Sequence, residues 1–384
     1  MSAYPCQKLV MSPFPGWSSL PQGPATAYRR TLSDDAERPV DWASMGQVMT
    51  VRGPIEGSEL GVTLPHEHVL LSMAYAFPAT GPEATRPITM DQLGVLRNDM
   101  TSNVNTITLD ESSDPVGELA KARQAGVDTV VELTPPELGR DPAGLARISE
   151  AAGINIVCGT GHYVRLQQRP ATRRLIDGSP PEAIAEPMIR DLTEGIGQTG
   201  VRAGVIGEIG LFSPVHPGEL KTLEAAVIAH RTTGAPLFVH LTEVPIAEQA
   251  LEVLGRTEPD WERVVFCHMD FDIRDLTWHR RVLARGVNVE FDFFGSTWWP
   301  HGWYLHFPTD PQRLAALSRL ADEGYAGQLL VSHDVCTRLQ LTAYGGFGYG
   351  YLRSVVPGMM EELGLDTALL DRFMIGNTRR VLTG

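Results

Sequence analysis

The chain has 384 residues, of which 43% are apolar and 20% charged, a composition typical of a globular protein with a large core. Its net charge of −14 argues against a nucleic-acid partner or an anionic membrane surface, because both require a basic face. No apolar run is long enough to cross a bilayer, and prolines and polar residues near the start interrupt any signal-peptide pattern. We therefore expect a cytoplasmic protein with a small-molecule partner, no nucleic-acid partner and no membrane partner.

Residues 1–46 are rich in Pro, Ser and Gly and show no clear periodicity, so they are predicted to form an irregular leader. Residues 47–384 are predicted to form one domain. The four cysteines lie far apart without CxxC spacing, which fits reduced thiols better than a disulfide framework.

Short β-branched runs alternate with helical segments through this domain, which is the pattern of a parallel sheet. Eight runs are predicted as strands, at 61–65, 128–134, 154–160, 203–209, 236–241, 263–268, 287–293 and 328–334. Amphipathic helices are predicted between most of them, for example over 141–153, 217–234 and 310–324. The predicted fold class is α/β, a (β/α)8 TIM barrel with an N-terminal extension and long loops after strands 1, 7 and 8. A doubly wound sheet is the alternative, although its GxGxxG turn is absent.

Metal-competent side chains fall at the carboxyl ends of these strands. They are His66 and His68 after strand 1, Glu208 on strand 4, His240 on strand 5, His268 on strand 6 and Asp334 on strand 8. In an α/β barrel these ends converge on the face where active sites are built. The i, i+2 spacing of His66 and His68 directs both imidazoles to one side of a strand, while Glu67 points away. Glu208 lies inside an apolar run, where burial of a carboxylate requires a partner or a metal.

Each of these residues also has an ordinary structural interpretation. His66 and His68 fit a pair in a polar loop, and a single histidine at a strand end, such as His240 or His268, is more often a satisfied core residue than a ligand. Asp334 also fits a cap for the segment that follows it. The placement of all six in barrel register favours a shared metal site. Imidazole and carboxylate ligands suit Zn²⁺ and neighbouring divalent ions.

The segments VRGPIEGSELGVTLPHEHVLL, VIGEIG, VHL, CHMD and VSHD resemble the phosphotriesterase family of the amidohydrolase superfamily, from about residue 47 to the C-terminus. The segment SHDVCTRLQLTAYGGFGYGYL is most similar to the branch called phosphotriesterase-related proteins. The resemblance implies that His66, His68 and Asp334 hold a more buried metal, and that His240 and His268 hold a more exposed one. It further implies a bridging hydroxide and a bridging carboxylate. The name-giving phosphotriesterases have a carboxylated lysine at the bridge, and Glu208 stands at that position here.

The cofactor expected from this resemblance is a pair of divalent ions, Zn²⁺ first, with Mn, Co or Ni as alternatives. Asp334 is expected to be catalytic, as the acceptor of the nucleophile's proton. Tyr163, which matches a tyrosine of lactonase-like relatives, is predicted to contact substrate, with an ordinary pocket-wall role as the alternative. Trp298 and Trp299 lie in an unusually aromatic loop, 293–307, that fits a substrate lid or a homodimer contact equally well. Arg338 is predicted to clamp an anionic substrate group, although a solvated arginine is the commoner outcome.

The predicted function is a binuclear metal-dependent hydrolase that cleaves an ester-like bond in a small molecule by attack of a metal-bridging hydroxide. A lactone or carboxylic ester is the first expectation and a phosphoester the second. The main alternative is an amidase acting on an N-acyl amino acid or an N-acyl taurine-like amide. Two further alternatives are a mononuclear deaminase and a non-catalytic binding barrel stabilised by metals. A homodimer is also expected.

Overall fold

The computed structural model describes residues 46–296 and 307–384. One sheet of eight strands dominates this part of the chain, and neighbouring strands follow each other in sequence order. The strands are β1 (Thr63–Glu67), β2 (Thr129–Glu132), β3 (Asn155–Thr160), β4 (Val205–Leu211), β5 (Leu237–Leu241), β6 (Val264–Cys267), β7 (Asn288–Phe291) and β8 (Leu329–Val331). Their pairings are parallel throughout.

The first and last strands of this sheet meet and bring it close to a closed barrel. Just beyond β8, the Asp334 backbone N–H donates to the His66 carbonyl oxygen at 3.3 Å. The His66 backbone N–H donates to Ser332 Oγ at 3.2 Å. The predicted (β/α)8 barrel is therefore confirmed.

Successive side chains along each strand point to opposite faces of the sheet, and this alternation gives two apolar layers, one inside the barrel and one beneath the helices. On β5, Phe238 packs in an inner cluster with residues of other strands, whereas Leu237 and Val239 join the larger cluster toward the helices. Because successive side chains on a strand point to opposite faces, His240 shares the inward direction of Phe238. Both faces of the sheet are covered by other side chains, which explains why the strands are near-continuous apolar runs.

Helices follow the strands and cover the outside of the barrel. They are α1 (Leu93–Asn98), α2 (Pro115–Gln124), α3 (Pro142–Ala152), α4 (Pro170–Gly178), α5 (Pro181–Thr193), α6 (Pro217–Thr233), α7 (Ala247–Thr257), α8 (Thr277–Leu283), α9 (Asp310–Leu320), α10 (Tyr351–Ser354), α11 (Val356–Glu362), α12 (Ala368–Asp371) and α13 (Thr378–Thr383). The three helices singled out from sequence correspond to α3, α6 and α9. α3 illustrates the local signals, since the Asp141 side chain accepts from the Gly144 N–H and Gly153 ends the helix with a φ of 66°.

Two long segments border the carboxyl end of the barrel. The segment after β1 contains α1, α2 and a small antiparallel pair, Leu71–Ser72 with Thr108–Leu109. The loop after β8 continues to α10. Of the aromatic loop after β7, only the flanks are described, and the leader falls outside the described residues except for Gly46. Among the described helices, none has the length and apolar character needed to span a membrane.

Candidate metal centre

The structure brings all six predicted ligands together at the carboxyl ends of the strands. Each is at most 8% exposed, and they fall into overlapping groups in which the potential ligand atoms lie within 4.8 Å of one another. Side chains from strands as distant in sequence as β1 and β8 thus face one small volume.

We call His66, His68 and Asp334, the residues predicted to hold one metal, the first group. The Asp334 Oδ1 atom lies 3.2 Å from His68 Nε2 and 3.8 Å from His66 Nε2. His66 Nε2 and Asp334 Oδ1 are buried and have no hydrogen-bond partner among the described residues. Buried polar atoms without a partner are costly, so two of them aimed at the same volume call for a ligand there.

The second group consists of His240, His268 and Glu208. His240 Nδ1 lies 2.6 Å from Glu208 Oε2 and 2.7 Å from His268 Nε2. Glu208 also reaches the first group, since its Oε1 atom lies 3.4 Å from His68 Nε2. Its Oε2 atom in addition lies 3.6 Å from His66 Nε2, so the carboxylate approaches histidines of both groups, as expected of a residue that could bridge two cations.

The donor set fits divalent metal ions. Four imidazoles and two carboxylates are the ligands that Zn²⁺ and neighbouring transition metals prefer. The ring nitrogens opposite the site are held by other side chains, which selects the tautomer with a lone pair toward the metals. His68 Nδ1 lies 2.8 Å from Thr134 Oγ1, and because Thr134 donates its hydroxyl hydrogen to Glu132, this Nδ1 carries the hydrogen.

Asp292 holds one histidine of each group. Its Oδ1 atom lies 2.9 Å from His268 Nδ1, and its Oδ2 atom lies 3.3 Å from His66 Nδ1. Glu290 also approaches His66 Nδ1, at 3.2 Å. Both Nδ1 atoms can therefore donate to carboxylates below the site, so that each Nε2 atom is directed toward the candidate metal positions. Sequence reasoning missed Asp292 and Glu290, although the pattern VNVEFDF places both on alternate positions of one strand.

The charges in the centre are strongly coupled. Burial raises the pKa of Glu208, but the charge and hydrogen bond of His240 and the hydrogen bond of His268 outweigh burial and hold this pKa well below its usual value. Burial lowers the pKa of His268, but the charge of Asp292 and hydrogen bonds to Asp292 and Glu208 outweigh it and raise the pKa to about 10. Glu208 is thus an ionised carboxylate, the form that ligates a cation.

Two of the six ligands have an unusual backbone conformation. His268 has a φ of 61° and Asp334 a φ of 45°, in the left-handed region that favours glycine. Such conformations cost about 1–3 kcal/mol each and persist where the surroundings enforce them. Here they turn the side chains at the ends of β6 and β8 into the site.

Glu67 anchors the segment that carries Asp334. Its Oε1 atom accepts from Ser332 Oγ at 2.8 Å and from the His333 backbone N–H at 3.0 Å, and lies 2.7 Å from His333 Nδ1. Its Oε2 atom accepts from the Val335 N–H at 2.9 Å. The fully buried carboxylate therefore binds the chain on both sides of Asp334. Glu67 points away from the centre as the strand pattern predicts, but this anchoring role was not anticipated.

An apolar cavity of about 440 Å³ opens above the centre. His240, His268 and Asp334 contribute to its floor, and its walls include Met73, Phe77, Met100, Phe212, Phe271 and Phe307. Tyr163 also lines it, with its hydroxyl 3.4 Å from His240 Nε2, so this predicted contact residue lies where a bound substrate would reach it. Burial, followed by the charges of Glu208 and Asp334, raises the pKa of Tyr163 well above its usual value, so the phenol keeps its proton.

Of the other predicted substrate contacts, only Arg338 lies in the described part of the chain, and it is engaged elsewhere. Arg338 donates to the Thr108 carbonyl, to Asp110 and to Ser112, and is absent from the described lining. Its guanidinium ties the loop after β8 to the segment after β1, so the expected clamp on an anionic substrate has to be corrected to a structural contact. Trp298 and Trp299 lie outside the described residues.

Fold and site together define the chain as a parallel α/β barrel with a buried candidate metal centre at the carboxyl ends of its strands. Residues 46–382 match the phosphotriesterase family, and the chain belongs to this family of hydrolases. This finding confirms the family resemblance inferred from the sequence motifs.

Curated relatives match over almost their whole length. The chain is 34% identical to an N-acetyltaurine hydrolase of Salmo salar over 350 residues, covering 89% of this chain and 99% of the relative. It is 32% identical to a phosphotriesterase-related protein of Nematostella vectensis, covering 88% and 99%. The predicted branch is thereby confirmed.

Solved structures agree in fold. A resiniferatoxin-binding protein from Rhodobacter sphaeroides aligns with a TM-score of 0.84 at 33% identity, over 92% of this chain and 98% of that one. A mutant of a phosphotriesterase-like lactonase from Deinococcus radiodurans aligns with a TM-score of 0.69 at 28% identity, over 87% and 99%.

Proposed function

We propose that this protein is a binuclear metal-dependent amidase that hydrolyses a small N-acylated amine. The proposal reverses the order of the sequence-based expectations, in which an ester-like bond came first. The observation that carries it is the combination of the six-residue centre with similarity, over nearly full length, to relatives named N-acetyltaurine hydrolase. The centre supports hydrolysis in general, and the relatives favour the amide bond in particular.

The ligand set supports two divalent cations, with Zn²⁺ as the first choice. His66, His68 and Asp334 would hold one ion, His240 and His268 the other, and Glu208 both. Two such ions would supply a water nucleophile at neutral pH and Lewis-acid polarisation of the scissile carbonyl. The protein must orient the substrate, exclude bulk water and move one proton.

Asp334 would move that proton. Its Oδ1 atom faces the centre without a hydrogen-bond partner among the described residues, at the floor of the cavity. It can accept a proton from the attacking water and deliver it to the amide nitrogen as the carbon–nitrogen bond breaks. The products are a carboxylic acid and an amine, which accounts for every atom of water and amide.

Tyr163 and the apolar walls would orient the bound substrate. Because the Tyr163 phenol keeps its proton, it can donate a hydrogen bond to the carbonyl oxygen of a bound acyl group. The apolar walls can bury an acyl chain and exclude water, which strengthens electrostatic interactions at the floor.

The test is a substrate panel with the metal-free protein and the protein reloaded with Zn²⁺. N-acyl amides, lactones, carboxylic esters and phosphoesters would be compared by kcat/KM. We expect metal-dependent turnover that is highest for an amide. Turnover confined to lactones or esters would overturn the amide assignment, and the absence of any metal-dependent turnover would overturn the hydrolase assignment for this site.

Lactone hydrolysis is the second candidate. It is favoured by the similarity to a lactonase at 28% identity and by the apolar cavity, which suits an alkyl-substituted lactone. The same panel decides between the two.

A further inference from the structure

The cavity above the candidate metal centre has an unusual charge distribution. Its described lining contains two carboxylates, Asp334 at the floor and Glu243 in the wall, and it contains neither Lys nor Arg. The sequence of the segment 297–306, whose placement is not described, also contains neither Lys nor Arg. A substrate with a negatively charged end would thus meet no permanent cation along the described wall.

Arginines near the cavity are already engaged. Arg338 is bound to Asp110 and Ser112, and Arg165 forms two hydrogen bonds with Asp177, at 2.7 and 2.8 Å. Arg169 lies over the Tyr75 ring, 4.7 Å from its centroid. Recruiting any of them would mean giving up these contacts, so an anionic group would be desolvated without a permanently cationic side chain as its partner.

Glu243 is free to interact with a ligand. It is exposed, it follows His240 by three residues, and its side chain does not cap the short helix that it precedes. Within the described part of the chain, no hydrogen bond or ion pair is recorded for its carboxylate. A carboxylate in this position attracts a cation and repels an anion.

The wall also contains a cluster of phenylalanine rings beside His268. The centroids of Phe271 and Phe293 are 4.6 Å apart, and Phe307 lies 4.9 Å from Phe293 and 5.8 Å from Phe271. Aromatic rings that line the same cavity as a carboxylate form an environment that suits an alkylammonium group, whose surface is apolar and whose charge is positive.

We propose that the substrate is an amide whose amine part is cationic or uncharged and apolar, and that Glu243 discriminates against an anionic amine part. This inference rests on the proposed amidase function and specifies its substrate class. It also separates the chain from relatives named for N-acetyltaurine, a substrate that ends in a sulfonate.

Three amides of equal shape test the proposal. N-hexanoyl amides of 2-aminoethanesulfonate, 3,3-dimethylbutylamine and 2-aminoethyltrimethylammonium carry tetrahedral ends with charges of about −1, 0 and +1. For the wild type, we expect kcat/KM to rise from the sulfonate to the trimethylammonium amide by about 10-fold or more, with each unit of charge contributing about 3- to 10-fold. The ratio should shrink at high salt, because Glu243 is exposed.

Two substitutions assign the effect to Glu243. In Glu243→Gln the difference between the charged amides should fall to a few-fold, and in Glu243→Lys the order should reverse. Glu252→Lys on α7 is the matched control, since it makes the same charge change at an exposed position away from the cavity lining. We expect it to retain the wild-type order.

A wild type that prefers the sulfonate amide, or Glu243 variants whose ratios match the wild type, would overturn the charge proposal while leaving the amidase function intact. Equal effects of the Glu243 and Glu252 changes would also overturn it, because net charge rather than the cavity would then govern selectivity. If none of the three amides is cleaved, the amidase proposal fails. Their dissociation constants with wild type, measured by calorimetry, would then test the charge order in place of the rate constants.

Discussion

Glu208 is the residue on which both halves of the candidate centre depend. Its Oε2 atom lies 2.6 Å from His240 Nδ1 and 3.6 Å from His66 Nε2, and its Oε1 atom lies 3.4 Å from His68 Nε2. The candidate centre thus has an unmodified carboxylate at the position where the family resemblance implies a bridging ligand.

The Glu208→Gln variant tests this dependence. Gln has nearly the same shape but lacks the negative charge shared between two cations, so metal affinity and turnover should both collapse. Metal content after dialysis against metal-free buffer and turnover with Zn²⁺ in excess measure the two effects. Near-normal metal content in the variant would remove Glu208 from the site.

Asp334 combines two roles, ligand and proton acceptor, and Asp334→Asn separates them. Asn still offers an oxygen to the first metal but cannot take a proton, so kcat should fall by about 10²–10⁴-fold while the reloaded variant binds substrate. Metal content, KM and kcat would be measured on the same preparation. A metal-replete Asn variant with near-wild-type kcat would mean that another group carries the proton.

At the scale of elements, the contact between β1 and the segment after β8 determines where Asp334 lies. Glu67 on β1 accepts hydrogen bonds from residues that flank Asp334, some 266 positions later in the chain. The left-handed backbone of Asp334 requires such enforcement, because a free segment would relax away from it.

The Glu67→Gln variant tests this anchoring. The NH2 group of the Gln side chain would face N–H and O–H donors that now bind a carboxylate oxygen of Glu67. Two donors cannot form a hydrogen bond, so the segment that contains Asp334 should shift. We expect kcat to fall by about 10- to 100-fold, the range typical of residues that orient ligands, with little change in KM.

Glu118→Gln is the matched control for this effect. Glu118 is also buried and accepts from Thr342 and Ala343 in the same loop, farther from the centre. Both variants should lose thermal stability, whereas the kcat of the Glu118 variant should stay within a few-fold of wild type. Equal losses of kcat in the two variants would show that Glu67 acts through general stability.

Strand order, helix positions and the positions of the six candidate ligands at strand ends were predictable from sequence because each leaves a local signal. The apolar run 236–241, for example, contains β5, and the histidine near its end marks the barrel face. The pattern VNVEFDF places Asp292 in a strand-like run, but its histidine partners, like the anchoring role of Glu67, depend on which distant strand lies opposite. Arg338 was assigned to substrate from its loop position alone, and its partners lie in the segment after β1, which sequence could not orient.

At the scale of the whole molecule, the centre joins β1, β4, β5, β6 and the segment after β8 across the open end of the barrel. Bound cations should therefore raise the free energy of unfolding in addition to supporting the reaction, since they bind the native state and not the unfolded chain. Removing them leaves carboxylates and histidines buried together without their ligands.

Chelation should therefore lower the thermal unfolding midpoint by several degrees, and Zn²⁺ should restore it. Differential scanning calorimetry of metal-free and reloaded protein measures the shift. The Glu208→Gln variant should show little response to Zn²⁺. An unchanged midpoint in the wild type would indicate that the centre does not bind metal in the folded protein.

The number of metals bound by each chain tests the central claim most directly. Wild-type protein would be stripped, reloaded with excess Zn²⁺, dialysed and analysed by plasma mass spectrometry against an accurate protein concentration. Two groups of ligands that share Glu208 predict close to two ions per chain. A firm value of one would contradict the binuclear centre, and a value near zero would contradict the metal site itself.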